Sequence, residues 1–189
     1  MALRRWVDRI RQNHALEHAT INLLSRRYAD AQVMGVSGPA GFTLYSTLTA
    51  EEIVPTVRRA LEALKGGESG LAVHAHCGTN LVITAGATTV ATLLGLGYVP
   101  DLLREKEAGR QRSWMGLVER LPQAVLLNAV ALVAAMPVAR WVQANVTTRA
   151  EVGDLEIASF FTDYRGGMNR VRVRTRGRAE REDVRRAEG

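Results

Sequence analysis

The sequence predicts an α+β fold: a small antiparallel sheet with an HxxEH-bearing N-terminal helix, plus a two-helix transmembrane hairpin. Three observations predict it. Strand-like runs separated by glycine-containing turns occur near both ends of the chain. Between them lie two long uncharged runs, residues 78–100 and 121–139. The first 28 residues carry a helical period. The expected organisation is an N-terminal soluble part over 1–77 with the metal motif, a transmembrane helical hairpin over 78–143, and C-terminal strands and a basic tail over 144–189 that complete the soluble domain.

Taken in order, residues 3–28 read as a helix in which Val7, Ile10, His14, His18 and Ile21 share one face. Residues 32–37 and 41–46 read as two strands joined at Gly38-Pro39-Ala40-Gly41. Thr49 opens a second helix, because Glu52 three residues on completes a capping box, and Gly66-Gly67 ends it after Lys65. Residues 70–76 read as a short strand. Leu155–Phe161 and Val171–Thr175 read as two more strands, joined across Arg165-Gly166-Gly167. Arg170, Arg172, Arg174 and Arg176 alternate with Val171, Val173 and Thr175, which lays the arginines on one face. The last residues are expected to fray.

The two uncharged runs have 23 and 19 residues. About 20 apolar residues cross the hydrocarbon core of a bilayer. Their many small residues suit close helix packing in lipid. The alternative is a pair of buried helices in a soluble bundle. Residues 101–120 hold 5 Lys/Arg, against 9 in the first 77 residues and 11 in the C-terminal segment. The positive-inside rule then places both termini in the cytoplasm and the chain in the cytoplasmic membrane.

Composition bounds the rest. An apolar content of 47% is enough for a core, and the net charge is +6. Residues 140–189 hold 11 Arg against 8 acids. That balance suits anionic lipid headgroups or nucleic acid, and equally a solvated basic tail. A single cysteine excludes an intrachain disulfide. The N-terminus is charged throughout, without the apolar region of a cleavable signal peptide.

All four histidines and the lone cysteine fall in two clusters, His14-Ala15-Leu16-Glu17-His18 and His74-Ala75-His76-Cys77. Imidazole and thiolate are the best side-chain ligands for zinc. Residues four apart on a helix share a face, so His14 and His18 are placed to grip one ion. Glu17 lies within reach of a water on that ion. This H-x-x-E-H order is the inverted form of the zincin motif. In such a site the metal brings the pKa of water to about 7, and Glu17 takes the proton as general base. The plain alternative is two ordinary helix histidines, one packed and one capping. In the second cluster, a strand would turn His74 and His76 one way and Cys77 the other. A turn would let His74 and Cys77 chelate together. Cys77 is open to three roles: ligand, buried small residue, or nucleophile with a histidine as base.

These motifs together resemble a family of bacterial integral membrane proteins of unknown function, described as predicted metal-dependent enzymes. The matching residues are His14, Glu17 and His18; His74, Cys77, Gly78 and Thr79 opening an apolar segment; and Thr147, Thr148 and Arg149 followed by Asp154-Leu155-Glu156-Ile157. Their order is kept over residues 14–157. A smaller uncharacterised family with an N-H-A-L-E-H-A-T opening is similar more closely. The resemblance implies that His74 and Cys77 matter more than His76. It also implies a role for Glu156. Glutamate is the usual third ligand in inverted zincins, so Glu156 is a candidate ligand.

The function expected from these readings is a membrane-anchored metal-dependent hydrolase, peptidase-like, with its site at the membrane interface. Zinc is the expected metal, its ligands drawn from His14, His18, His74, Cys77 and Glu156, with Glu17 as catalytic base. The expected partners are the lipid bilayer and a membrane-protein or peptide substrate, and not nucleic acid. The alternative is a non-enzymatic membrane assembly or scaffold protein with a structural metal site. A third reading is a lipid- or nucleic-acid-binding module that uses the arginine tail.

Overall fold

A computed structural model describes residues 2–74, 77–98 and 114–177. In chain order the elements are α1 (Ala2–Arg27), β1 (Val33–Gly38), β2 (Gly41–Ser46), α2 (Ala50–Lys65), a 3-10 turn (Ser69–Ala72), α3 (Gly78–Gly95), α4 (Trp114–Val142), a π turn (Gln143–Thr147), β3 (Glu156–Arg165) and β4 (Met168–Arg176). The chain divides into two compact units. One joins Met1–His74 to Gln143–Gly189, and the other is Ala75–Val142.

In the first unit the strands form one antiparallel sheet in the order β1-β2-β4-β3. This is the mixed helix and small antiparallel sheet that the sequence predicts. Gly41 pairs with Arg174, Thr43 with Arg172 and Tyr45 with Arg170, so β4 lies beside a strand far upstream. Period-two alternation sorts the two faces. Phe42, Leu44, Val171 and Val173 turn inward and are buried, while Arg172 and Arg174 face out. Leu16 and Leu24 of α1, Ile53 and Val57 of α2, and Val152 and Leu155 complete the core. Glu52 accepts the backbone N–H of Thr49 at 2.8 Å, which closes the capping box at the start of α2.

Helix α1 differs from a simple amphipathic helix. From Gln12 to Ile21 every residue is buried except His14, which is half-buried. The expected apolar face reaches solvent at its N-terminal end, where Val7 is 41% exposed. The helix runs through the middle of the unit, so its polar residues must find partners indoors. Asn13 donates to the Gly38 carbonyl at 2.7 Å and accepts from Thr175 at 2.6 Å. Gln12 donates to the Glu151 carbonyl at 2.9 Å and to Asp154 at 3.0 Å.

Residues 70–76 do not form the expected strand as far as they are described. The chain makes a 3-10 turn over Ser69–Ala72 and is extended at Val73. Side chains of α1 take the place of a neighbouring strand. Asn22 donates to the carbonyls of Leu71 and Val73, each at 2.9 Å.

In the second unit α3 and α4 lie antiparallel. Asn128 donates to Thr92 at 2.9 Å, and Arg120 donates to the Leu96 carbonyl at 3.1 Å. A Cβ on Gly95 would stand 2.5 Å from the Ala124 Cα, so the two backbones touch there. The expected pair of membrane spans is corrected to one. Among the described residues only Trp114–Thr147 is long and apolar enough to cross a membrane, and 11% of its most apolar window is buried. Helix α3 has 18 residues and includes Asn80 and five threonines. Its length of about 27 Å falls short of a hydrocarbon core of about 30 Å, and an uncharged run is not the same as an apolar one. The loop expected over 101–120 is helical from Trp114 onward, and residues 101–113 lie outside the described residues.

Candidate metal centre

The site is built on the buried stretch of α1. His14 and His18 stand one turn apart, with ring centroids 4.2 Å from each other. His74 follows the 3-10 turn, and its ring centroid lies 6.0 Å from that of His18. Three imidazoles from the two sequence clusters therefore gather in the first unit.

The hydrogen bonds of the rings carry chemical information. His14 Nδ1 meets the Thr147 carbonyl at 3.0 Å, and His18 Nδ1 meets the Ala72 carbonyl at 2.8 Å. A carbonyl only accepts, so each Nδ1 carries the hydrogen. In the neutral ring the lone pair is then on Nε2. This is how metal-binding histidines are usually held, with the outer nitrogen tied to a backbone acceptor. Donor chemistry and tautomer both fit a zinc-type ion.

Glu17 is buried, at 5% exposure. Its Oε2 accepts the Ser37 hydroxyl of β1. The carboxylate lies against the strand backbone at Gly35, where a Cβ would stand 2.6 Å from Glu17 Cδ. Glycine leaves the space that this side chain fills.

The π turn at the end of α4 is the second support. Gln143 is fully buried. Its Oε1 accepts the His74 N–H at 2.7 Å and its Nε2 donates to the His74 carbonyl at 3.1 Å, like a single step of a strand ladder. Thr148 donates to the Gln143 carbonyl at 2.8 Å. Arg11 reaches the carbonyls of Asn145 at 2.7 Å and Thr148 at 3.2 Å, and Arg149 pairs with Asp8 at 3.0 Å. The Thr147-Thr148-Arg149 run thus fastens α1 beside the rings.

The remaining sequence candidates fall as follows. Cys77 is buried and caps α3, its sulfur accepting the Thr79 N–H at 3.4 Å. Glu156 opens β3 and pairs with Arg176 at 3.8 Å. No close group of three ligand atoms among the described residues includes Glu156. His76 lies outside the described residues. Sequence reasoning missed Gln143, Ser37 and Gly35. Each acts on a partner far along the chain, and the one local signal was a glycine inside a strand, which marks close backbone approach.

Fold and site together define a small sheet-and-helix unit with a buried histidine cluster, in a chain that also carries one helix of membrane-spanning length. The sequence matches the model of the family described as domain of unknown function DUF6391 over residues 9–160, and the chain belongs to that family. An uncharacterized protein of Picosynechococcus sp. is 36% identical over an alignment of 84 residues, with 40% of this chain covered. The chain spans 41% of the length of that relative. No solved structure matches.

Proposed function

We propose that this protein is a membrane-anchored metal-dependent hydrolase, peptidase-like, in which His14 and His18 hold zinc with a further ligand from the His74–Cys77 segment and Glu17 is the general base. The observation that carries the reading is the pair of adjacent imidazoles whose Nδ1 atoms are both tied to backbone carbonyls. Cys77 follows His74 by three residues, so the backbone alone keeps their Cα atoms within about 11 Å. A zinc ion held there supplies Lewis acidity and brings the pKa of its water to about 7. Ser37 orients the buried Glu17 carboxylate for proton transfer. A set of three protein ligands would suit a catalytic zinc site, where structural sites use four.

A second reading is favoured by the closeness of His74 to His18. With His74 as a fourth ligand the site closes and becomes a structural metal clip, in a non-enzymatic assembly or scaffold protein. Metal analysis of the purified full-length chain separates the two. In the hydrolase, His14→Ala, His18→Ala and Cys77→Ser lose zinc, while Glu17→Gln keeps it and no longer cleaves a fluorogenic peptide library. Absence of stoichiometric zinc in the wild type, or zinc loss in Glu17→Gln equal to that in the histidine variants, overturns the hydrolase. Zinc loss in His74→Ala, with no hydrolysis by the wild type, supports the clip.

The membrane part of the proposal rests on α4. Trp114 and Trp141 are 72% and 62% exposed near its two ends. Their separation along the helix is about 40 Å, the thickness of a bilayer with its interfaces, where tryptophan is favoured. Strands β2 and β4 pair across the insert, so the chain must leave and return on the same side. A crossing by α4 therefore requires a second crossing upstream of Trp114. The surplus of Lys and Arg in the flanking segments favours the cytoplasm for that side. Retention in the membrane pellet after a carbonate wash is expected, and release into the supernatant overturns the anchor.

A further inference from the structure

The outer face of the sheet carries four arginines in a row on β4, and they are not alike. Arg170 is tied to Asp163 across the ladder, with Nε to Oδ1 at 2.7 Å. Arg176 is paired with Glu156 at 3.8 Å. Arg172 and Arg174 are exposed and have no carboxylate ion pair among the described residues. Opposite Arg172 the ladder places Phe161, 53% exposed, and the Arg174 guanidinium lies 5.8 Å from the Phe161 ring. Side chains two apart on a strand stand about 6.7 Å apart, so the two arginines present a double cationic site.

Beside them is an open groove of about 310 Å³, lined by the Gly38–Gly41 hairpin, Val36, Thr43 and the two arginines. On β1 the same face shows Met34 and Val36, each 61% exposed. Exposed aliphatic side chains next to cations outside any ion pair suit a surface that is anionic outside and apolar just beneath. Single-stranded nucleic acid wants successive aromatic platforms for its bases. Of the two rings on this face, Phe161 is already covered by Arg174 and Tyr45 is engaged with Arg170.

We propose that this sheet face binds anionic phospholipid headgroups, with Arg172 and Arg174 contacting phosphate and with Met34 and Val36 entering the interface. The proposal rests on the membrane part of the functional reading and not on the metal site. Near an anionic surface each arginine contributes about 1 kcal/mol, so removing both weakens binding by roughly 30-fold.

The test is thermal stabilisation of the full-length chain in detergent by short-chain phosphatidylglycerol and short-chain phosphatidylcholine. Phosphatidylglycerol is expected to raise the melting temperature, because a ligand of the native state stabilises it. The effect should shrink with added salt. The Arg172→Gln/Arg174→Gln variant should melt like the wild type without lipid and need roughly 30-fold more phosphatidylglycerol for the same shift. Arg172→Lys/Arg174→Lys should recover most of the response, since it keeps the charge. Equal shifts from both lipids, or an undiminished response in the glutamine variant, overturn the proposal. A comparable shift from inorganic phosphate makes the face a free-phosphate site instead, and a larger one from a single-stranded oligonucleotide makes it a nucleic-acid surface. A carbonate wash tests the anchor separately, so failure of the anchor and failure of this face are told apart.

Discussion

Replacing Gly35 with alanine adds one methyl group where Glu17 lies. The new Cβ would stand 2.6 Å from Glu17 Cδ and 2.7 Å from Cγ, against an ordinary contact of 3.4 Å or more. Backbone conformation is not the obstacle, since Gly35 is not among the glycines with positive φ. Either the strand or the glutamate must move. Overpacking of this kind costs about 1–3 kcal/mol. Moving the carboxylate also breaks its bond from Ser37, and a buried acceptor left without its donor costs about 1–3 kcal/mol. A loss of about 3 kcal/mol lowers the melting temperature of a chain this size by roughly 6–12 °C. Differential scanning fluorimetry in detergent reads this directly. The control is the double variant Gly35→Ala/Glu17→Ala. With the glutamate truncated, the methyl group has room, and Gly35→Ala should add less than about 0.5 kcal/mol of further cost. A melting temperature unchanged in the single variant, or costs that simply add in the double one, would show that Glu17 does not occupy the space above Gly35.

Gln143→Ala removes both hydrogen bonds to the His74 backbone, and a melting-temperature loss equivalent to about 2–4 kcal/mol is expected. Zinc affinity should fall in the same variant if His74 lies beside the ion, which equilibrium dialysis measures. Gly95→Leu forces α3 away from Ala124, and the expected result is loss of the folded detergent-solubilised species on size-exclusion chromatography. The hydrogen bond from Arg170 holds the Asp163 carboxyl below its usual range. A lowered native pKa stabilises above the unfolded value of about 3.9 and loses that contribution as pH falls through the native one. Asp163→Asn should therefore melt below the wild type at pH 7, and the gap should close as the solution is made strongly acidic.

What the sequence shows plainly is short-range. Four-residue spacing on one helix brings the His14 and His18 rings together. The capping box at Thr49 starts α2, and the Gly166-Gly167 turn joins β3 to β4. Alternation of Arg with Val and Thr on β4 predicts the two faces of that strand. The misread parts share a cause. Leu71 and Val73 alternate like a strand, yet a strand needs a neighbour, and here Asn22 satisfies the carbonyls instead. Counting only apolar residues along α1 gives one face, whereas Asn13, Glu17 and Thr20 are buried with their own partners. Freedom from charge over residues 78–100 hides the polarity of the α3 threonines. Gln143 and Ser37 act across 69 and 20 residues of chain, and no local pattern announces a partner so distant.

The carbonyl that fixes the His14 tautomer belongs to Thr147, which the ribosome reaches 133 residues later. At about 5–20 residues per second, that delay is on the order of 10 s. The nascent N-terminal half must wait through it without β4 to cover β2 and without Gln143 to hold His74. By then the whole of α3 and α4 has been synthesised. Both helices therefore precede completion of the histidine cluster at every round of synthesis. A chain released before Thr147 carries the whole H-x-x-E-H motif and lacks the acceptor that sets it.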